Sequence, residues 1–102
     1  MTMNHPELTW NPEKNRILRE TRGVSFEDVE DAIEAGNLLT DIPHPLTETY
    51  PNQRILVVLI RGYTFNVPYV VDDGRYFLKT MYASRKAMKI FTNRGNDDES
   101  KT

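Results

Sequence analysis

The stretch Arg54–Arg61, RILVVLIR, holds an unbroken apolar run between two arginines. A β-branched run of strand length that shows no polar face is what a strand buried on both sides of a sheet requires. It is the expected central strand. Gly62 breaks the run, and Tyr63, Phe65 and Val67 then alternate with Thr64, Asn66 and Pro68, the pattern of a return strand with one buried face. Pro68 carries no N–H, so a bulge or an unpaired edge position is expected there before Tyr69-Val70-Val71 resumes. Asp72-Asp73-Gly74 signals a hairpin turn. A third strand, Arg75 to about Met81, then places Tyr76, Leu78 and Thr80 on one face and Arg75, Phe77, Lys79 and Met81 on the other.

Upstream of this meander the chain reads as helical. Glu7–Trp10 alternates as a short strand, and Asn11-Pro12 supplies an N-cap followed by proline at the first helical position. A helix from Pro12 to about Thr21 follows, with Gly23 placed to end it. Ser25 opens a second helix, with Asp28 completing a variant capping box and Phe26, Val29, Ala32 and Ile33 forming its buried stripe. Gly36-Asn37 stops it. Residues 37–53 contain Pro43, Pro45 and Pro51 and cannot hold a regular helix, although Leu38–Ile42 can pair as an edge strand. At the other end Ser84 caps a last helix, anchored by Ala87, Met88 and Phe91. Residues 92–102 contain no apolar side chain and read as a disordered polar tail after a single domain over 1–91. The expected fold is α+β: β-α-α, then a three- to four-strand antiparallel sheet and a short C-terminal helix, with the helices on one face.

A chain of 102 residues affords one core and one site. Without cysteine it has no disulfide, thiolate nucleophile or thiolate zinc site, and with no apolar leader it is expected in the cytoplasm, away from membranes. The net charge of −2 conceals segregation. Glu27, Asp28, Glu30, Asp31 and Glu34 give residues 25–36 a local −5, whereas Arg75, Lys79, Arg85, Lys86 and Lys89 give residues 75–91 a local +5.

An RNA-binding protein needs cations for phosphates, and one that cleaves RNA also needs groups that stabilise the pentavalent transition state and move protons. Lys79 stands out because it interrupts an apolar and aromatic strand, with Arg75 about 14 Å away by strand rise. The plainer alternative is a solvated sheet face at Lys79 and a solvated helix face at Arg85, Lys86 and Lys89. His44, held between Pro43 and Pro45, is a modest site candidate, and a catalytic pair with His5 would require the terminus to fold back. Trp10 reads as a core anchor. The carboxylates of the acidic helix project from one element, so no metal site and no cofactor are expected.

Three segments, in order and spacing from Leu8 to about Phe91, resemble the BrnT family of type II toxins, small ribonucleases related in fold to the RelE/ParE superfamily. They are Trp10-Asn11-Pro12-Glu13-Lys14-Asn15, Arg22-Gly23-Val24-Ser25-Phe26-Glu27-Asp28, and Tyr82-Ala83-Ser84-Arg85-Lys86-Ala87. Arg22 stands where the family has histidine. The resemblance implies a RelE-like fold and an endoribonuclease that inhibits translation. It also implies a cognate antitoxin that neutralises the toxin and carries the complex to DNA. Carried onto this chain it points to Lys14 and Arg85, with Lys79 as a basic strand position. The expected catalytic set is Lys79, Arg85 and Lys14, with Arg75, Lys86 and Lys89 binding RNA. The competing expectation is a non-catalytic module of the same fold that binds an antitoxin-like DNA-binding partner. A small-molecule enzyme using the His44 loop is the third.

Overall fold

A computed structural model describes residues 6–92. Its centre is the strand expected there, β3 (Arg54–Ile60), in which Ile55 through Val58 and Ile60 are all buried. β3 lies between β2 (Leu38–Pro43) and β4 (Tyr63–Asp72), antiparallel to both. β5 (Arg75–Leu78) continues the meander, and β1 (Leu8–Trp10) adds in parallel beyond it, so the order is β1-β5-β4-β3-β2. The sheet is thus mostly antiparallel with one parallel edge strand. Both hairpins have two-residue loops, Arg61-Gly62 and Asp73-Gly74, with positive φ at each residue, the form that matches the twist of the flanking strands.

The helices begin and end on the residues whose chemistry favours it. Asn11 Oδ1 accepts from the backbone N–H groups of Glu13 and Lys14 at the start of α1 (Pro12–Arg22), and Gly23 at φ 72° closes it with a bond to the Arg19 carbonyl. α2 (Phe26–Glu34) has the reciprocal Ser25–Asp28 capping box. α3 (Arg85–Thr92) is capped by Ser84 Oγ, which accepts from Ala87 N. Thr92 closes α3, and the remainder of the expected polar tail lies outside the described residues, as does His5.

The α+β class is as expected, but the helices occupy both faces. Leu56, Val58 and Ile60 point into the larger core with Leu18, Val24, Phe26, Val29 and Ala32 of the α1–α2 unit. Ile55 and Val57, their alternates, face the other way and meet Ala87 and Phe91 of α3. A strand apolar on both sides needs a cover on each side, which α3 supplies. Trp10 packs on Phe26 with ring centroids 5.6 Å apart, the anchor role read for it.

Two differences arise at one place. β4 runs through Pro68 without a bulge, paired in register with Ile55. The Pro68 carbonyl accepts from Lys79 N at 2.8 Å, so the position where its N–H would lie also faces the β5 side. There the neighbouring strand breaks: β5 ends at Leu78, residues 79–81 are irregular, and β6 (Tyr82–Ala83) rejoins β4 opposite Asn66 and Phe65. A proline is tolerated in this central strand because its missing donor meets an interruption of the ladder. The interruption also ends the alternation. Met81, expected beside Lys79, is fully buried in the α1–α2 core, and its carbonyl accepts from Arg22 Nη1.

Asn15 joins the two first helices. Its Oδ1 accepts from Phe26 N at 2.7 Å and its Nδ2 donates to Glu27 Oε1 at 2.8 Å, and the residue is buried. That hydrogen bond holds the Glu27 carboxyl below its usual range, aided by the charge of Arg19. Asn15→Ala is expected to cost about 1–2 kcal/mol in urea unfolding, since it leaves the Phe26 N–H without its acceptor. Because the folded-state value of Glu27 is depressed, its contribution is present above about pH 4.5 and is lost as pH falls through the folded value. The acid limb of the stability curve is therefore expected to be shallower in Asn15→Ala.

Candidate functional site

β1 passes directly into α1 through Asn11, and β5 runs beside β1, so the N-terminal turn of α1 sits at the end of β5. Asn11, Glu13, Lys14, Ile17, Phe77, Leu78 and Lys79 line a shallow, widely open cleft of about 570 Å³ there. Lys14 and Lys79, 65 positions apart in sequence, face this one space. Lys79 is exposed, and its Nζ lies 5.5 Å from the centroid of the Phe77 ring, within cation–π range.

The carboxylate on the cleft wall is already engaged. Glu13 forms an ion pair with Arg16, whose hydrogen bond and charge hold the Glu13 carboxyl below the usual range, and Arg16 also binds Glu20 at 2.9 Å. The two lysines have no ion pair among the described residues. The cleft therefore combines a cationic rim with an aromatic wall. Such a site offers cations to a phosphate and a ring to a base.

The other expected site residues are elsewhere. Arg75 pairs at 3.2 Å with Glu7, the residue just before β1, which offsets its charge. Arg85, Lys86 and Lys89 lie on α3, and none lines the Lys14–Lys79 cleft. Lys86 lines a separate groove. His44 orders its own loop: Nδ1 accepts from Leu46 N at 3.0 Å and the ring lies 4.5 Å from that of Tyr50. Among the described residues, no group of three or more His, Cys, Asp or Glu could hold a metal. No helix among them is long and apolar enough to cross a membrane.

One polar cluster carried no signal in the sequence. Asp41 accepts from the Tyr69 hydroxyl at 2.8 and 2.9 Å and from Arg54 Nε at 3.0 Å, and Tyr69 stacks on Tyr76 at 4.3 Å. Burial first, and then the Asp41 hydrogen bond, push the Tyr69 hydroxyl well above the usual tyrosine value. Its partners come from β2, β3, β4 and β5, so only strand register could have brought them together. A tyrosine so strongly held in its neutral form is a structural donor.

Comparison with protein-family models, curated proteins and solved structures gave no match.

Proposed function

We propose that this protein is a toxin of a type II toxin–antitoxin pair that acts on RNA through the Lys14–Lys79 cleft, as an endoribonuclease that inhibits translation, and that a cognate antitoxin restrains it. The observation that carries this reading is the convergence of two lysines from distant segments on one aromatic-walled cleft. The BrnT resemblance supports it in part through the same residues, since its Trp10–Asn15 segment includes Lys14 and forms the junction that presents it. In this reading Lys79 and Lys14 hold the phosphate and stabilise its transition-state charge, and Phe77 receives a base. Arg85, Lys86 and Lys89 lie on α3 and stand outside this cleft.

The competing reading, a non-catalytic module of the same fold, draws on one feature of the cleft. Its lining includes no imidazole, and its carboxylate is tied to Arg16. Such a cleft can grip RNA more readily than it can shuttle protons.

Induced expression without a partner is expected to arrest growth, and Lys14→Ala/Lys79→Ala is expected to abolish the arrest. In vitro, that pair should lose at least about tenfold in affinity for single-stranded RNA, and the slope of log affinity against log salt should fall by about 1.4. Unchanged arrest and unchanged affinity would reject the site. No arrest and no cleavage product, with a small DNA-binding partner co-purifying stoichiometrically, would select the non-catalytic reading.

A further inference from the structure

We propose that the groove between β2 and α3, on the sheet face opposite α1 and α2, docks an acidic amphipathic helix of a protein partner. It depends on the toxin reading only for what that partner would be called, because the surface stands on its own geometry.

The groove has a volume of about 430 Å³. Ile55 and Val57 of β3 line it with Ile42, Ala87, Ile90 and Phe91. Two of these are large apolar side chains left open, Ile42 at 40% and Ile90 at 48% exposure, with Tyr82 at 39% beside them. An exposed apolar channel of this kind fits the apolar stripe of a helix, in which side chains recur every three or four residues.

Charge states the chemistry of the occupant. Arg16, Arg19, Arg54, Arg61 and Arg75 all have carboxylate partners. Arg85, Lys86 and Lys89 of α3 have none among the described residues, and Lys86 is part of the lining. A helix entering with carboxylates flanking its apolar stripe would meet these cations.

Two other occupants fit less well. A second copy docked about a two-fold axis would set α3 against α3 and bring like charges together. The polar segment 93–102 includes Asp97, Asp98 and Glu99 but no apolar side chain, so it can offset charge without covering Ile42 and Ile90.

The test uses the full-length isotope-labelled protein and a synthetic helical peptide of roughly five turns, with leucines on one stripe and glutamates beside it. A control peptide carries lysine for each glutamate. Amide shifts are expected in residues 38–43 and 82–91 with the acidic peptide, and none with the control. Ile90→Glu should weaken binding at least about tenfold while leaving RNA affinity at the Lys14–Lys79 cleft unchanged, which separates this result from failure of the RNA reading. Lys86→Glu/Lys89→Glu should reverse the preference between the peptides. Equal binding of both peptides, shifts confined to α1 and α2, or no binding would overturn the proposal. So would α3 shifts with oligouridylate alone, or an Ile90-dependent dimer of the protein in sedimentation.

Discussion

Met81→Ala is expected to destabilise the protein by about 2–5 kcal/mol, the range for truncating a fully buried methionine. With a urea slope of about 1–3 kcal/mol per molar for a small domain, the midpoint should drop by at least about 0.7 M. Lys79→Met, two positions away, should change stability by no more than about 0.5 kcal/mol. Strict alternation puts both residues on one face and would make their environments alike. The observed chain makes them opposites: Lys79 is exposed, whereas Met81 has 0% exposure and packs with Leu18, Phe26 and Tyr69 in the large core. Comparable losses in the two variants, or none in Met81→Ala, would show that β5 runs through Met81 unbroken.

The origin of that break explains which parts of the fold were legible. RILVVLIR identified β3 because burial on two faces leaves a compositional mark, and the caps at Asn11, Gly23, Ser25 and Ser84 were readable because each acts on backbone groups within four residues of itself. Pro68 was also legible as a disturbance, but its consequence fell on a different strand. A bulge or an unpaired edge position was expected in β4, and the irregularity instead lies at residues 79–81 of the neighbour, because the missing N–H points that way. Which neighbour a residue faces is a property of register, and register is written across the sheet.

The same distinction applies to the candidate site. Lys79 stands out because a cation in an apolar strand needs a reason, and Lys14 through a resemblance at the start of α1. Their convergence required β1 to pair in parallel with β5, a long-range contact that neither segment encodes alone. Arg75 looked equivalent to Lys79 by spacing, yet the same β1–β5 pairing brings Glu7 beside it. A local +5 is thereby divided into a cleft, an ion pair and a helix rim. Arg22 secures the carbonyl of the displaced Met81.

Asp41→Ala is expected to cost about 1–3 kcal/mol, and the cause is the hydroxyl it leaves behind more than the ion pair it removes. Arg54 and Asp41 are both substantially solvated, so their attraction is screened and Arg54 can be hydrated when the carboxylate is gone. Tyr69 has no such recourse, because the residue is fully buried and Asp41 is the acceptor for its hydroxyl. Asp41→Ala/Tyr69→Phe should therefore recover much of the loss, since removing both partners leaves no stranded donor. The alkaline limb gives an independent reading. The Tyr69 hydroxyl is raised by burial and by Asp41, so the associated stability is complete below about pH 10 and is lost as pH rises through the folded-state value. Ultraviolet titration of the five tyrosines should show one that stays protonated beyond the others, and Asp41→Ala should bring its titration to lower pH. A double variant no more stable than Asp41→Ala would place the cost on Arg54 instead, and make the ion pair the stronger tie between β2 and β3.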